Sequence, residues 1–283
     1  MSSSLPTLAV TGATGGVGGR VAADLARRGI PQRLVVRDAA RAPELPRASV
    51  VTAAYGDRAA ARAALEGVEV LLFVSAAEKA DRLAEHRAFV AAATDAGVRH
   101  VVYTSFVGAS AESTFTLGRD HGATEDAIRA SGMAFTILRD NLYSDFLVHL
   151  VGDDGVLRGP AGDGRGAFVA RADVADVAAL VLREPSRHEG AGYDLTGPAA
   201  LSLTQVASAL AATLGREIRY HDETLEEAYA SRARYGAPGW QLDAWVSTYT
   251  AIRAGELAAV SSDVQRLLRR PARSLGDVLS GGR

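Results

Sequence analysis

The sequence predicts an α/β protein built on a doubly wound parallel sheet, followed by a smaller and mostly helical C-terminal lobe. Three observations lead to this fold class. Near the start, a short apolar run enters a glycine-rich stretch and leaves it with helical spacing, which is the order strand, loop, helix. Apolar runs of strand length then alternate with helical patterns as far as residue 139. Beyond residue 140 this alternation weakens and helical patterns dominate.

Residues 8–29 contain the first strand, the glycine loop and the first helix. Residues 8–10 are apolar, and Val17, Val21 and Leu25 recur four residues apart, as side chains on one helical face do. Glycines in such a loop allow a tight turn, a close approach of backbone N–H groups to a pyrophosphate, and close packing of the helix on the strand. The N–H groups and the dipole at the helix start favour anionic phosphates. The loop therefore predicts a dinucleotide site, although glycines also mark ordinary turns.

Five further apolar runs predict strands, and helical patterns separate several of them. The predicted strands are residues 33–37, 50–55, 70–74, 101–104 and 135–139. The predicted helices in this part are residues 59–65, 81–96 and 119–131, with glycines at 97 and 132 as C-terminal stops. Continuous apolar strands between helices indicate a parallel sheet covered on both faces, so the expected domain is of the Rossmann type.

The C-terminal part lacks the regular alternation of apolar strands and helices. Residues 152–166 are rich in Gly, Asp and Pro and predict a loop. Predicted helices are residues 174–182, 202–214, 225–234, 241–253 and 262–268, with extended stretches at 192–196 and 218–220. We therefore expect an NAD(P)-binding Rossmann domain over residues 1–140 and a substrate-binding lobe over residues 141–283, with some segments of the lobe returning to the Rossmann core.

Composition excludes several classes of function. The net charge of −2 gives no reason to expect nucleic acid or an anionic membrane surface as a partner. The absence of cysteine excludes disulfides, thiolate nucleophiles and zinc–thiolate sites. No apolar run approaches the roughly 20 residues that span a bilayer, and the start of the chain lacks the pattern of a signal peptide, so the cytoplasm is the expected location. Lys79 is the only lysine, and any mechanism that needs a lysine has this one candidate.

Residues at the carboxyl ends of the predicted strands are the candidate ligand contacts, because a ligand of an open α/β sheet binds at that edge. They are Gly12, Thr14, Gly15, Gly16, Val17 and Gly18 within residues 11–18, then Arg37, Asp57, Ser75, Thr104, Ser105, Arg139, Asp140, Asn141, Leu142 and Tyr143.

Arg37 is the most informative of these residues. It follows the second strand about 20 residues after the glycines, where an acidic residue binds a ribose 2′-hydroxyl and an arginine accepts a 2′-phosphate. It therefore favours NADP, while the neighbouring Asp38 leaves NAD open and a solvated surface arginine is the alternative. For Asp57 we weigh contact with the adenine against capping of a helix, and for Ser75 contact with the nicotinamide ribose against satisfaction of backbone groups.

His121 and Glu125 lie four apart on a predicted helix and so share a face. A histidine with a carboxylate neighbour could donate or relay a proton near neutral pH, but a surface pair is the plainer interpretation. Asn141 and Tyr143 could close over the ligand. The other histidines, at positions 86, 100, 149, 188 and 221, show no metal-ligand spacing. Neither GxSxG nor HExxH occurs, so no metal site is expected and hydrolase chemistry has little support.

Several motifs resemble the NmrA-like atypical short-chain dehydrogenases, and within them the bacterial type 2 NAD(P)H:quinone oxidoreductases. The motifs are TGATGGVG, LVVRD, AAYGD, GVEVLLFVSA, AGVRHVVYTS, HGATEDAIRASGMAFTILRDNLYSDF, ARADVADVAA and RRPARSLGDVL, which together span nearly the whole chain. The run over residues 121–146 is the discriminating one, because it joins helix, strand and cofactor loop in the family's order.

The resemblance implies roles for the candidate residues. The loop at 12–18 and Arg37 would hold the pyrophosphate and adenosine side of the cofactor, while Ser75 and residues 141–144, including Ser144, would surround the nicotinamide. Ordinary short-chain dehydrogenases carry a YxxxK pair, and the corresponding positions here are His121 and Glu125. His121 and Tyr143 are therefore the candidate catalytic residues.

The missing tyrosine–lysine pair puts alcohol and ketone chemistry in doubt. We expect an NADPH-dependent oxidoreductase, with NAD as a further possibility, that passes hydride directly to a quinone or similar aromatic acceptor without flavin. The first alternative is a catalytically silent NAD(P)-binding redox sensor that regulates protein partners. The second is a tailoring reductase or monooxygenase of a quinone-containing natural product. The expected partner is a small aromatic molecule, with no nucleic acid and no membrane, and a homodimer is left open.

Overall fold

Seven strands form a central sheet in the computed structural model, which describes residues 6–281. In chain order they are β1 (Leu8–Thr11), β2 (Gln32–Val36), β3 (Ala48–Thr52), β4 (Val70–Phe73), β5 (His100–Phe106), β6 (Ala134–Asp140) and β9 (Gly192–Leu195). Their order across the sheet is β3-β2-β1-β4-β5-β6-β9. The β1–β2, β2–β3, β1–β4 and β4–β5 pairs are parallel. The strands therefore wind outwards from β1 in both directions, which confirms the doubly wound α/β fold class.

Burial explains why these strands read as continuous apolar runs. Every residue of β2 and of β5 is buried, as expected for strands covered on both faces of a parallel sheet. One buried residue of β2 is charged: Arg33 is 1% exposed, and its Nη1 donates to the carbonyl oxygens of Ala64 at 2.6 Å and Glu66 at 2.9 Å. A buried cation is tolerated in β2 because these carbonyls accept its hydrogen bonds.

Ten α-helices complete the described chain. They are α1 (Gly18–Arg27), α2 (Arg58–Leu65), α3 (Arg82–Asp95), α4 (Thr116–Ala130), α5 (Arg171–Arg183), α6 (Leu203–Leu214), α7 (Leu225–Ala233), α8 (Gly239–Arg253), α9 (Asp263–Leu268) and α10 (Leu275–Leu279). Short 3-10 helices lie at Ala39–Arg41, Ser144–Leu150 and Pro185–His188. None of the helices within residues 6–281 combines the length and hydropathy that crossing a bilayer requires.

The chain divides into two compact units. The first comprises residues 6–105, 122–139 and 174–193, and the second comprises residues 106–121, 140–173 and 194–281. Residues 174–193 belong to the first unit although they follow residue 140, and residues 106–121 belong to the second although they precede it. Residues 1–5, on which part of the expectation about a signal peptide rests, lie outside the described residues.

The prediction that residues 152–166 form a loop is wrong, because this stretch contains two strands. β7 (Val156–Gly159) pairs in parallel with β11 (Arg219–Asp222), and β8 (Arg165–Gly166) pairs antiparallel with β10 (Leu201–Ser202). Glycines and aspartates flank β7 so closely that its two apolar residues give no periodicity. Its strand character comes from a partner about 60 residues later in the chain. Short helices were missed for a similar reason, since α10 has only five residues.

Candidate functional site

The glycine loop between β1 and α1 has the geometry that a dinucleotide site requires. Gly12 has φ +64°, and a Cβ there would lie 2.9 Å from the Cβ of Val74, so glycine is needed for both conformation and space. The N–H of Gly15 donates to the Gly12 carbonyl at 2.9 Å and closes the turn. Gly18 begins α1, and a Cβ there would lie 2.6 Å from the Thr11 carbonyl oxygen. The absence of a side chain at Gly18 lets α1 pack directly on the end of β1.

The start of α1 has no side-chain cap of its own. Its N-cap residue is Val17, which makes no capping hydrogen bond, and the loop residues Thr14, Gly15 and Gly16 are exposed. An N-cap side chain begins α2, α6, α7 and α10, whereas α3, α8 and α9 begin without one, as α1 does. The first N–H groups of a helix need an acceptor, and here a pyrophosphate can supply it. The loop therefore fits the dinucleotide that the sequence predicts.

Arg37 follows β2 at the same edge of the sheet as the loop. It is exposed, and within the described residues its guanidinium makes no hydrogen bond or ion pair. The carboxylate of Asp38, by contrast, accepts the N–H of Ala40 at 3.0 Å and caps the following 3-10 helix. Arg37 is thus free to meet a phosphate, whereas the acidic neighbour that would bind a ribose hydroxyl already has a backbone partner.

Thr11 and Tyr55 fasten the ends of β1 and β4, which sequence reasoning missed. Thr11 Oγ1 donates to the Leu72 carbonyl at 3.1 Å and accepts the N–H of Val74 at 2.9 Å. The Tyr55 hydroxyl lies 2.7 Å from both Thr11 Oγ1 and the Val74 carbonyl oxygen. Burial raises the pKa of Tyr55, so its hydroxyl stays protonated and serves as a structural tie.

Thr104 supports the segment that follows β4. It is 1% exposed, and its Oγ1 accepts the N–H of Ser75 at 2.9 Å. Ser75 itself is half-buried. Asp57 caps α2 by accepting the N–H of Ala60 at 3.0 Å, so the capping interpretation accounts for one of its oxygens. Contacts of Thr104, Ser75 and Asp57 with the cofactor stay predictions.

His86 anchors the same segment from α3. Its Nε2 accepts the N–H of Ala76 at 2.9 Å, which assigns the ring proton to Nδ1, 3.0 Å from Thr124 Oγ1 on α4. Burial, followed by the charge of Arg82, lowers the pKa of His86 to about 3, so the ring is neutral. Nothing in the sequence distinguishes this histidine from the others. Its role depends on which face of α3 meets α4.

Lys79, the single lysine, is not available as a catalytic group. Its ammonium makes an ion pair with the Glu85 carboxylate, and it lies 3.5 Å from that of Asp81. The hydrogen bond to Glu85 raises its pKa above the ordinary value. The lysine of a YxxxK pair lies four residues after the acid on one helix, whereas Lys79 precedes α3 and faces the carboxylates of Asp81 and Glu85.

Glu125 is buried rather than part of a surface pair. It is 1% exposed, and its carboxylate accepts hydrogen bonds from Ser105, Arg139 and Arg129. Burial opposes its ionisation, but the hydrogen bonds from Arg139, Ser105 and Arg129 outweigh that effect and lower its pKa. Glu125 is therefore an anion committed to two arginines and cannot donate a proton.

His121, four residues earlier on α4, belongs to the second unit. It is 6% exposed, and its ring lies 6.1 Å from that of Phe106, which in turn packs 4.9 Å from Phe115. The surface interpretation of His121 is therefore wrong as well. An imidazole among aromatic rings remains a candidate proton donor.

Residues 140–144 follow β6 and carry the remaining candidates. Asn141 Nδ2 donates to the Leu257 carbonyl at 3.0 Å, and its Oδ1 accepts the N–H of Leu142 at 2.7 Å. The Tyr143 hydroxyl donates to the Asp140 carboxylate. Burial and this carboxylate raise the pKa of Tyr143, so it holds its proton. Ser144 is 1% exposed, and its Oγ has no hydrogen-bond partner among the described residues, which leaves one polar atom of this segment unpaired.

The candidates thus fall into two groups. The loop at 12–18, Arg37, Asp57, Ser75 and Thr104 belong to the first unit, where they follow β1, β2, β3, β4 or lie in β5. His121, Asn141, Leu142, Tyr143 and Ser144 belong to the second unit. Ser105 and Arg139 were expected at the sheet edge, but their shared partner Glu125 was not.

Comparison with known proteins gives a consistent set of similarities. A sequence family described as NAD(P)H-binding matches residues 12–185. The chain is 35% identical over 274 residues to NAD(P)H azoreductase of Xenophilus azovorans, with 95% of each chain covered. It is 34% identical over 280 residues to quinone oxidoreductase 2 of Escherichia coli (strain K12), which covers 96% of this chain and 97% of that protein.

Solved structures agree with these relatives. The NADPH complex of the quinone oxidoreductase QOR2 from E. coli has a TM-score of 0.89 and covers 97% of this chain and 99% of that chain at 34% identity. Triphenylmethane reductase of Citrobacter sp. has a TM-score of 0.85 at 30% identity, with 98% and 99% covered. NmrA, a negative transcriptional regulator, has a TM-score of 0.74 at 17% identity, covering 98% and 95%, and shares the fold alone.

Proposed function

Because the chain belongs to the NAD(P)H-binding family, we propose that it is an oxidoreductase that transfers hydride from NADPH directly to a quinone or similar aromatic acceptor. The relatives at 34% and 35% identity, named as a quinone oxidoreductase and an azoreductase, support a reductase of aromatic compounds. The regulator shares the fold alone, so the enzyme is favoured over the redox sensor.

One observation carries the choice of acceptor. The position that corresponds to the lysine of a YxxxK pair is Glu125, whose carboxylate is bound by Ser105, Arg139 and Arg129. No lysine follows residue 121 at that spacing to lower the pKa of an acid there, because the one lysine of the chain, Lys79, lies before α3 and pairs with Glu85. An acceptor that takes hydride readily fits such a site better than an alcohol or ketone, since the hydroquinone anion needs only stabilisation and a later proton.

In this proposal the chain's residues bind the dinucleotide, orient the nicotinamide and protonate the reduced acceptor. The uncapped start of α1 and the loop at 12–18 hold the pyrophosphate, and Arg37 binds the 2′-phosphate. Ser75 and residues 141–144 orient the nicotinamide, which supplies the hydride when bound. His121 is the candidate donor of the proton to the reduced acceptor. Tyr143, the other candidate catalytic residue, donates its hydroxyl proton to Asp140, and in this proposal its oriented ring closes over the ligand.

A turnover assay tests the proposal. Purified protein whose absorption spectrum shows no flavin is mixed with NADPH and para-benzoquinone, and loss of NADPH absorbance is followed with and without added FMN. We expect turnover without FMN because hydride transfer is direct, and a primary isotope effect with NADPH deuterated at the transferred position because that C–H bond breaks in the transfer.

Other outcomes separate the alternatives. NADPH binding without turnover above background for a quinone and an azo dye would contradict the enzyme and favour the sensor. Heavy oxygen incorporated into the product from labelled O₂ would contradict simple reduction and favour a monooxygenase.

A further inference from the structure

Glu125 gathers four hydrogen bonds in the first unit. Its Oε1 accepts Ser105 Oγ at 2.6 Å and Arg139 Nε at 2.9 Å, while its Oε2 accepts Arg139 Nη2 at 2.8 Å and Arg129 Nη2 at 2.6 Å. Arg139 therefore binds the carboxylate through both oxygens. Such a fork fixes direction as well as distance.

The donors come from the ends of two neighbouring strands. Ser105 is the penultimate residue of β5, and Arg139 is the penultimate residue of β6. Glu125 thereby ties both carboxyl ends to α4. The next segments along the chain begin with Phe106, which packs near His121, and with Asp140, which holds Tyr143.

The preceding residue of α4 makes an equivalent tie to a third strand end. Thr124 Oγ1 meets Nδ1 of His86, whose Nε2 holds the Ala76 N–H just after β4. Two adjacent residues of one helix therefore fasten the ends of β4, β5 and β6. In a parallel α/β sheet these ends form the edge where the ligand binds.

Stability alone is a poor explanation for this arrangement. Burying a carboxylate with two guanidinium groups removes their hydration, and apolar residues of similar size often stabilise a core as well or better. A fork at a fixed angle, in contrast, holds two strand ends at one spacing. Transfer of a hydride depends steeply on such spacing, because a misplacement of about 1 Å can cost roughly 100-fold in rate.

We propose that Glu125 is a positioning residue for hydride transfer, which sets the spacing of the β5 and β6 ends through Ser105 and Arg139. This inference rests on the proposed function. It assigns no contact between Glu125 and the substrate or cofactor. The carboxylate acts only through the strand ends that it holds.

The test compares two buried glutamates. Glu125→Gln preserves size but cannot accept from both Arg139 nitrogens and Arg129 in the same way. Glu223→Gln is the matched control, because Glu223 Oε2 accepts Arg232 Nη1 at 2.8 Å and Glu223, like Glu125, is buried. Both variants are assayed with NADPH and para-benzoquinone at a temperature where both are folded by circular dichroism.

We expect Glu125→Gln to lower kcat by about 10- to 100-fold, while its Kd for NADPH stays within about threefold of that of the wild type. Glu223→Gln is expected to keep kcat, whatever its loss of Tm. Ser105→Ala, which removes one donor and leaves no buried charge unpaired, is expected to lower kcat by a smaller factor and serves if Glu125→Gln does not fold.

Three results overturn the inference. They are an unchanged kcat for Glu125→Gln or, if that variant does not fold, for Ser105→Ala; an equal loss of kcat in Glu223→Gln; and a loss confined to NADPH affinity. Wild-type protein without turnover would overturn the proposed function and this inference together, whereas active wild type with unaffected variants overturns the inference alone.

Discussion

At the scale of single residues, Arg37 is the proposed determinant of the cofactor. Its position after β2 could be predicted from the sequence, because the distance from the glycine loop is counted along the chain. The structure adds that one oxygen of Asp38 caps the following 3-10 helix, whereas the Arg37 guanidinium is exposed. We therefore expect NADPH to bind more tightly than NADH.

The Arg37→Ala variant should narrow that preference by about 10- to 100-fold, since a charge-assisted contact to a phosphate contributes roughly 1.5–3 kcal/mol. The measurement is the Kd of each nucleotide by titration of protein fluorescence. Arg62→Ala, an exposed arginine on α2, controls for the change in net charge. Equal affinities of the wild type for NADPH and NADH would contradict the assignment.

Pairings between residues that are distant in sequence could not be predicted in the same way. The bonds from Thr11 to Tyr55 and from Ser105 to Glu125 join residues 44 and 20 positions apart. Each depends on the rotation of a helix or the register of a strand, which hydrophobic periodicity fixes only to within a face. The polar groups at the strand ends were visible in the sequence, but their partners were not.

Among the elements, α3 illustrates how a helix can make the fold sensitive to acid. His86 is neutral in the folded chain with a pKa of about 3, lowered from 6.5. Below pH 6.5 His86 binds a proton in the unfolded chain but stays neutral in the folded chain. The free energy of unfolding therefore falls as the pH falls from about 6.5 towards 3, and it is unaffected by this group above that range.

Urea denaturation of wild type and His86→Gln at pH 7 and pH 5 tests this expectation. Between these pH values the wild type should lose about 2 kcal/mol more than the variant, because each pH unit below 6.5 contributes about 1.4 kcal/mol. His149→Gln changes an exposed histidine, and its free energy of unfolding should differ between pH 7 and pH 5 by as much as that of the wild type. If His86→Gln shows that same difference, His86 is not the acid-sensitive group.

Elements were predictable where they repeat a simple pattern. Most strands of the central sheet contain a short apolar run and were placed within a few residues, although β2 also holds Gln32 and Arg33. Helices such as α6 begin at a capping residue visible in the sequence. β7 and β8 could not be predicted, because they are short and pair with strands from distant parts of the chain. Long-range pairing leaves little local signal.

On the scale of the whole molecule, Asp173 connects the C-terminal segment to the second unit. Its fully buried carboxylate accepts Arg270 Nη2 at 2.8 Å, the Arg273 N–H at 2.7 Å and the Arg273 guanidinium. The following helix, α10, places Leu275 in the same core as Leu210 of α6. The motifs ARADVADVAA and RRPARSLGDVL, which lie about 90 residues apart in the sequence, therefore contact each other through Asp173 and its two arginine partners.

Asp173→Asn should lower the free energy of unfolding by about 2 kcal/mol, because two arginines lose their buried counter-charge while remaining partly hydrated. Urea denaturation measures the loss, and limited proteolysis should show earlier cleavage near Arg269 and Arg270. Glu184→Gln, which removes an exposed partner of Arg187, should leave the denaturation midpoint unchanged. A stable and protease-resistant Asp173→Asn would mean that α10 alone retains the segment.

Lys79, paired with Glu85 beside the segment that follows β4, also offers a selective position for a label. With one lysine and no cysteine in the chain, an amine-reactive dye has a single side chain to modify, and thiol reagents have none. Because the bond to Glu85 raises the lysine pKa, the conjugation requires alkaline buffer. Lys79 follows β4 by six residues, in the segment anchored by His86. A fluorophore attached there would report on that segment without any engineered residue.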